Sequence, residues 1–396
     1  MAYVNHPTHR EEIMGSWTKF NEDLLKHESF GDIINSSDFL KDQVTRIIAG
    51  RTDPLQKIAA ISEFIKENVE YNDNEDFYAD PLNKVLEKRR GTSGDINLLF
   101  GTMLGKAGFE TDMVILSTRN HGYIRQQFPA KSQFNYVICA VKIEGKPLLL
   151  DATERYLPFD ILPDRCLNGQ GLVISAKNHG WIDITTKAKD RSITTVDLTL
   201  EPSGEISCKL QYIRDGYDAQ KMREAYIKDG EKNYVQNLIR GKQWIVEDTS
   251  FEDVMDFKKQ PKENYDIRIT DHTAVAGKNI YLSPFVTSQI EENPFKAEKR
   301  TYPINFGNLK EQTYYVKIRL PEGFIVEELP KSKVIGLPGN AARYLYNAFL
   351  TGNIINITST FLINRSIFES EEYQGLKEFY DQVLAKQAEQ IVIKQK

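Results

Sequence analysis

The sequence predicts an α+β domain followed by a β-rich, sandwich-like domain that carries a C-terminal helix. Three observations support this fold class. Apolar residues recur at helical spacing as far as Ala107, the period changes to that of strands from Phe109, and strict alternation begins after Ile193. Helices followed by a meander, with a separate run of strands behind them, are typical of α+β chains with more than one domain.

The length and composition of the chain indicate how it is organised. A chain of 396 residues, of which 40% are hydrophobic and 27% charged, is long enough for two or three domains with cores of their own. We expect an N-terminal helical segment over 1–50 that packs on the next domain, an α+β domain over 51–187 and a β-rich domain over 188–396. The polar stretch 183–192 is the expected junction.

Helical periodicity dominates the first hundred residues. Residues 11–50 predict helices, and Asp53 followed by Pro54 predicts the start of another, because aspartate caps helices well and proline is tolerated at the first helical position. A further helix is expected over 81–88. The helix over 94–107 is the clearest, and its apolar stripe consists of Ile96, Leu99, Phe100, Met103, Leu104 and Ala107.

Strands follow this helix. The apolar run 113–116 predicts a buried strand, and the segments 134–143 and 147–151 predict an antiparallel pair joined by a turn at 144–146. A polar loop over 117–132 separates the first strand from the pair. The first domain therefore combines helices with a meander.

Alternation of apolar and polar residues indicates that the second half is β-rich. A helix is expected over 218–240 and a final helix over 370–390, where apolar residues recur at helical spacing. The predicted strands span about 194–200, 205–213, 242–248, 264–270, 278–284, 312–320, 342–350 and 353–363. Such a series of strands predicts a sandwich-like domain.

Composition argues against several classes of function. The net charge of −5 argues against nucleic-acid binding, which needs a basic face to neutralise phosphates. No apolar run approaches the ~20 residues of a membrane-spanning helix. The three cysteines and six histidines show no disulfide or metal-ligand spacing, so we expect neither a metal nor another cofactor. Cys139 and Cys166 are expected to be inert thiols.

Three short motifs carry the functional signal. They are RRGTSGD over 89–95, directly before the amphipathic helix, FNYVI over 134–138 and LLLDAT over 148–153. Together they resemble the nucleophile turn, the base strand and the strand of the orienting aspartate in the transglutaminase-like superfamily. The resemblance implies a papain-like cysteine-proteinase fold for the first domain.

The resemblance also implies a role for each position. Ser93 stands where the family has its nucleophilic cysteine, Tyr136 where it has the histidine, and Asp151 where it has the aspartate that orients the histidine. A serine hydroxyl needs a working base, and tyrosine, with a reference pKa of about 10, is a poor base near neutrality. We therefore expect Ser93 to cap the helix and the Tyr136 hydroxyl to bond Asp151. His121, in the polar loop, is the alternative base.

The site predicts a binding function rather than catalysis. The resemblance extends to LPF over 157–159 and CLNG over 166–169, and it implies a bacterial envelope branch of the Bacteroidetes type that carries a β-rich domain of unknown function. We expect a binding or scaffold module of the periplasm or cell envelope, cut from a longer precursor, with a cytoplasmic location as the alternative. The alternative function is a hydrolase or acyltransferase with Ser93 as nucleophile.

The ligand is expected in the cleft beside the serine turn. A protein, a peptide and a glycan all remain open, whereas no nucleic-acid partner and no membrane span are expected. Tyr123, Arg125 and Phe128 of the polar loop are candidates for lining the cleft, and so are Phe77 and Tyr78 upstream of the turn. Aromatic and basic side chains on a loop are common in binding sites.

Overall fold

The computed structural model describes residues 15–35, 37–186 and 188–396, together with the backbone of residues 3–6 and 9–12. The chain divides into two compact units, 1–187 and 188–396. The first unit mixes helices and strands, and the second is β-rich with a helix near its C-terminus. The predicted fold class is confirmed.

Six helices lie in the described part of the first unit. They are α1 (Trp17–Leu25), α2 (Gly31–Asn35), α3 (Lys41–Ile47), α4 (Pro54–Asn68), α5 (Leu82–Lys88) and α6 (Ser93–Lys106). Asp53 caps α4 by accepting the Leu55 N–H, with Pro54 at the first helical position, as the sequence indicates. Before α1 the backbone forms a hairpin of β1 (Tyr3–His6) and β2 (His9–Glu12), so the helix expected from residue 11 begins later.

The sheet of the first unit has five antiparallel strands in the order β7-β6-β5-β8-β9. In chain order the strands of this unit are β3 (Glu70–Tyr71), β4 (Arg90–Gly91), β5 (Thr111–Leu116), β6 (Tyr136–Ile143), β7 (Lys146–Leu150), β8 (Gln170–Ile174) and β9 (Gly180–Asp183), of which β3 and β4 form a separate parallel pair. β6 and β7 form the expected pair, and Glu144 and Gly145 turn between them with φ of 49° and 80°.

α6 is enclosed by the rest of the first unit. It packs against α4, β5 and β6, and residues 93–104 are all buried. Thr92 is its N-cap: the Thr92 hydroxyl accepts the Asp95 N–H, and the Asp95 carboxylate accepts the Thr92 N–H, which completes a capping box. The expectation that Ser93 caps the helix is therefore wrong, because Ser93 is the first residue inside it.

Apolar residues of α1–α3 belong to the same hydrophobic core as those of α4 and α6. Leu24, Ile33 and Val44 are buried together with Ile61 and Phe100. The described part of the N-terminal segment thus shares its core with the helices that follow. A separate segment over 1–50 stays a prediction.

The second unit contains fourteen strands among its described residues. In chain order they are β10 (Lys189–Leu200), β11 (Ile206–Asp215), β12 (Trp244–Glu252), β13 (Lys262–Ile269), β14 (Thr273–Ala276), β15 (Asn279–Leu282), β16 (Ile304–Asn305), β17 (Leu309–Arg319), β18 (Phe324–Glu328), β19 (Lys333–Gly336), β20 (Ala342–Thr351), β21 (Ile354–Ile363), β22 (Ile367–Phe368) and β23 (Ile391–Gln395).

These strands form an eight-stranded and a four-stranded sheet. The orders are β12-β13-β11-β10-β17-β21-β20-β19 and β14-β15-β23-β18, and β16 pairs with β22. Within the large sheet β10 and β17 are parallel, and the other neighbours are antiparallel. Buried residues of both sheets contribute to one hydrophobic core, as expected of a sandwich-like domain.

Three helices complete the second unit: α7 (Gly216–Asp229), α8 (Glu231–Ile239) and α9 (Tyr373–Gln387). The prediction of a single helix over 218–240 is wrong. Gly230, with φ of 75°, ends α7 and begins α8, because a left-handed residue cannot continue an α-helix. α9 buries Leu376, Phe379 and Val383 in the same core as the sheets.

The longest helices, α4 and α9, have 15 residues each, whereas a bilayer requires about 20. Within the described ranges, no helix has both the length and the apolar character needed to span a membrane. In the same ranges, no three His, Cys, Asp or Glu side chains gather in a way that would hold a metal ion.

Candidate functional site

Tyr136 and Asp151 meet at the open end of the β6–β7 hairpin, opposite the turn. Tyr136 is the first residue of β6 and Asp151 directly follows β7. The register pairs Cys139 with Leu150, so the end of β7 lies beside the start of β6. The Tyr136 hydroxyl donates to Asp151 Oδ2 at 2.9 Å, and both side chains are buried. The structure thus brings together two of the residues that the sequence singled out.

Neutral donors saturate the Asp151 carboxylate. Oδ2 accepts from the Tyr136 hydroxyl and from Asn97 Nδ2, the latter at 2.7 Å. Oδ1 accepts from the Thr153 N–H at 2.8 Å and from the Thr153 hydroxyl at 2.5 Å. Among the described residues no cation is hydrogen-bonded to this carboxylate. Asp151 is therefore held as an acceptor of four neutral hydrogen bonds.

The Ser93 hydroxyl forms its hydrogen bonds with the backbone of a neighbouring loop. The side chain is fully buried, and its Oγ donates to the Asp76 carbonyl at 2.6 Å and accepts the Asp76 N–H at 2.8 Å. Asn97 lies one turn further along α6 and reaches Asp151 from the same helix face. Ser93 is thus placed one helical turn from a residue that contacts Asp151, while its own hydrogen bonds go to Asp76.

Gly94 lets that loop approach the start of α6. A Cβ atom at this position would lie 1.9 Å from the Tyr78 carbonyl oxygen, closer than any side chain can come. The loop and the helix terminus are therefore in direct backbone contact, which only glycine permits.

Arg165 brings a positive charge beside Tyr136. It lies in the 3₁₀ turn Asp164–Cys166, and its guanidinium is 5.4 Å from the Tyr136 ring centre and 4.8 Å from that of Tyr71. Its Nη2 donates to the Tyr136 hydroxyl at 3.2 Å and to Thr153 Oγ1 at 2.7 Å. Its Nη1 forms an ion pair with Glu154.

The environment keeps the buried phenol and thiols protonated. Burial raises the pKa of Tyr136 well above its ordinary value, the negative charge of Asp151 raises it further, and Arg165 opposes the shift. Burial likewise raises the pKa of Cys139 and of Cys166 well above the ordinary thiol value. Near neutrality this site therefore holds neither a phenolate nor a thiolate.

His121 is held at the start of the loop. Its Nδ1 lies 3.0 Å from Ser117 Oγ, and the residue is exposed. The structure records no hydrogen bond from this ring to Ser93, Tyr136 or Asp151 among the described residues. A role for His121 as substitute base stays a prediction.

The candidate cleft residues differ in exposure. Tyr123, Arg125 and Phe128 are exposed on the loop, whereas Phe77 is buried. Tyr78 is partly buried and packs under Lys131, whose Nζ lies 4.4 Å from the ring centre.

Several residues of the site were not predicted. Asn97 was detectable as a polar residue on the buried side of an apolar helix, where it needs a partner. Thr92 and Asp95 follow the capping-box spacing, which also marks the helix start. Arg165 and the Asp76 backbone carry no local signal, because loops distant in sequence bring them to the site.

Two family models match parts of the chain. Residues 41–186 match the model of the transglutaminase-like superfamily. The first unit carries a transglutaminase-like domain. Residues 278–393 match a second model, a domain of unknown function with solved structure, DUF3858. A search of curated proteins gave no match.

A solved structure has the same fold as this chain. It is that of a "putative protease" from Parabacteroides distasonis, with a TM-score of 0.55 and 13% sequence identity. The similarity covers 92% of this chain, which spans 57% of the other one. At this identity the similarity shows the fold alone. Transglutaminase-like and β-rich domains thus occur together on one chain, as expected from the sequence.

Proposed function

We propose that the transglutaminase-like domain is a non-catalytic module for binding or scaffolding in the bacterial cell envelope. The observation that carries the proposal is the 2.9 Å hydrogen bond from the Tyr136 hydroxyl to Asp151 Oδ2. The family resemblance assigns these positions to a base and its orienting acid. Here a phenol, whose pKa is raised, donates to the acid, and no basic nitrogen stands between them.

The state of Ser93 supports the same conclusion. Nucleophilic attack requires a base that removes the hydroxyl proton, and that proton points to the Asp76 carbonyl, which cannot accept it permanently. The Asp76 N–H occupies the other side of the oxygen. Activation of Ser93 would need both hydrogen bonds to break and a base to enter from elsewhere.

An envelope location rests on the resemblance to the envelope branch of the superfamily. Fractionation of cells that express the natural gene with a C-terminal tag tests it. We expect the tag in the periplasmic or membrane fraction, and recovery with a cytoplasmic marker would support the alternative location.

The alternative function is a hydrolase or acyltransferase with Ser93 as nucleophile. It is favoured by the name of the Parabacteroides distasonis protein that shares the fold. A fluorophosphonate probe, with Ser93→Ala as control, separates the two functions. We expect no adduct on Ser93 by peptide mass spectrometry, and a stoichiometric adduct absent from the control would refute the non-catalytic proposal.

A pair of variants tests whether positions 93, 136 and 151 keep the geometry that the family resemblance implies. Ser93→Cys alone leaves Tyr136 without base function, whereas Ser93→Cys with Tyr136→His restores a thiol, an imidazole and Asp151. We expect iodoacetamide to alkylate the double variant about tenfold faster near pH 7, because an adjacent imidazolium lowers the thiol pKa. The wild-type chain, whose three cysteines are buried, gives the background rate. Equal rates in both variants would contradict a retained site geometry.

A further inference from the structure

The 117–133 loop, which joins β5 to β6, is unusual in its charge. It contains Arg119, His121, Arg125 and Lys131 and no acidic residue, although the whole chain has a net charge of −5. Apart from a terminal 3₁₀ turn it has no regular structure. Loops of this length without secondary structure are uncommon in compact domains and usually have a function.

Side chains from three parts of the chain fix the backbone of this loop. Asn168 Nδ2 donates to the carbonyls of Thr118 and Gly122 at 3.2 and 2.8 Å. Trp17 Nε1 donates to the Gln126 carbonyl at 2.7 Å. Gln133 accepts the Arg125 N–H at 2.6 Å and donates to the Phe128 carbonyl at 2.6 Å. The loop is therefore ordered before any partner arrives.

This fixed backbone presents aromatic and basic side chains to solvent. Tyr123 is 63% exposed and Phe128 is 50% exposed, while Ile124 between Tyr123 and Arg125 packs on the core. The Arg125 guanidinium has no ion pair in the part of the chain that the structure describes; only its backbone is engaged. Tyrosine and arginine are, with tryptophan, enriched at interface hot spots.

The charge of the loop determines what it would attract. The positive charge of Arg119 is balanced within the chain, because its Nη1 forms an ion pair with Asp164 at 2.6 Å. Arg125 and Lys131 are the cations left for a ligand, and Lys131 stacks on Tyr78 rather than on a carboxylate. An acidic partner gains from both cations, and its apolar side chains would cover Tyr123 and Phe128.

We propose that the 117–133 loop is the docking surface for an acidic protein segment with apolar side chains. The loop also borders the Asp151 site: Asn135, next to Tyr136, accepts the Thr118 N–H at 2.9 Å, and the Arg119 N–H donates to the Arg165 carbonyl at 2.9 Å. The proposal rests on the proposed binding function and assigns its partner class. Because the loop is ordered beforehand, the loop itself loses little conformational entropy on binding.

The test is selection of a displayed library of random dodecapeptides on the full-length chain, followed by affinity measurement of the enriched peptides by fluorescence anisotropy. Arg125→Glu reverses the free cation and Tyr123→Ala removes an exposed ring. Gln133→Ala removes loop anchors without changing either contacting side chain. Arg343→Glu and Tyr302→Ala are matched controls, because both residues are exposed in the second unit.

We expect enrichment of peptides that combine Asp or Glu with apolar residues. Arg125→Glu should weaken their binding by tenfold or more, on the order of one reversed close charge pair. Tyr123→Ala and Gln133→Ala should weaken it less, and the two controls should leave it unchanged. The Gln133→Ala loss would distinguish a preorganised surface from a merely charged one.

Absence of acidic enrichment, or equal binding by the loop variants and the wild type, would overturn the proposal. Binding of polygalacturonate with the same dependence on Arg125, but no peptide enrichment, would overturn the assignment to a protein partner. Hydrolysis of bound peptides would instead refute the non-catalytic function and leave the docking surface standing. The two proposals therefore fail in different ways.

Discussion

Each unit buries a carboxylate beside tyrosine hydroxyls, and the two carboxylates differ in how their charge is balanced. In the second unit, Glu263 accepts from the hydroxyls of Tyr234 and Tyr265 at 2.9 and 2.7 Å and forms an ion pair with Arg214. In the first unit, Asp151 accepts only neutral donors, including the Tyr136 hydroxyl. The acid in the second unit has a bonded cation, and the acid in the first does not.

The arginines explain the difference. Arg214 bonds Glu263 directly and also Asp218 at 2.8 Å; burial disfavours its charge, yet these acids hold its pKa above the ordinary value. Arg165 forms an ion pair with Glu154. It contacts the Asp151 site through hydrogen bonds to Tyr136 and Thr153 and not through Asp151 itself. The Glu263 cluster is a closed structural ion pair. In the Asp151 site the acid accepts a hydrogen bond from a group on an aromatic ring, the Tyr136 hydroxyl. The family resemblance implies the same arrangement for its aspartate and histidine.

The largest effect should follow from removing the cation of the Arg214–Glu263 ion pair. Arg214→Leu leaves the Glu263 side chain, 1% exposed, without its cation, so we expect the second unit to lose about 3–5 kcal/mol of unfolding free energy. Urea unfolding measures this through Trp244 fluorescence in a background with Trp17→Phe and Trp181→Phe, since the chain has three tryptophans.

Arg268→Leu is the matched control for this prediction. Arg268 lies on the same strand as Glu263, is 48% exposed and pairs with Glu205 and Glu247 at the surface. Surface pairs contribute about 0–1 kcal/mol, so this variant should stay close to wild type. Comparable losses in the two variants would show that the buried pair has no special role.

A smaller effect should follow from removing a neutral donor at Asp151. Tyr136→Phe deletes the hydroxyl and leaves the Asp151 carboxylate with Asn97 and Thr153, so we expect a loss of about 1.5–3 kcal/mol in the first unit. Urea unfolding in a Trp244→Phe background reports it. Tyr123→Phe, at a first-unit tyrosine that is 63% exposed, should change stability by less than about 0.5 kcal/mol. An unchanged Tyr136→Phe variant would mean that the phenol does not hold the acid.

Local sequence was sufficient for the elements that frame the Asp151 site. The apolar stripe predicted α6, and alternation with a short turn predicted β6 and β7, which together place Tyr136 beside Asp151. These features depend on neighbours in sequence. Arg165 reaches the site from a turn 29 residues beyond Tyr136, and nothing in its local pattern specifies that approach.

Non-local pairing also limits what the sequence predicts in the second unit. β10 and β17 are parallel neighbours although more than a hundred residues separate them. The short strands β18 and β23 also pair with each other although they are distant in sequence. The helix expected over 218–240 is interrupted at Gly230, where α7 ends and α8 begins. Glycine inside a helical pattern indicates a possible end, and here the positive φ decides it.

The last effect depends on pH and concerns a second cation near Asp151. Lys66 on α4 donates to the Leu157 carbonyl at 2.7 Å, and burial lowers its pKa from 10.5 to about 8, despite the opposing attraction of Asp151, Glu154, Asp160 and Glu63. Between these two values the unfolded chain binds more protons than the folded one, so this lysine makes stability rise with pH through that window. Below about pH 8 the lysine is charged in both states and its burial is most unfavourable.

Lys66→Met removes this titration. The variant's unfolding free energy, relative to wild type, should therefore be highest near pH 7 and should fall as the pH rises from about 8 to 10.5. Urea unfolding at several pH values in the Trp244→Phe background measures the difference, and Lys84→Met, at an exposed lysine of α5, controls for the loss of one positive charge. A difference that does not change with pH would show that Lys66 is not desolvated. In that case a solvated ammonium group would lie near Asp151. The Asp151 and Glu263 carboxylates would then differ in their access to solvent rather than in whether a cation is bonded to them.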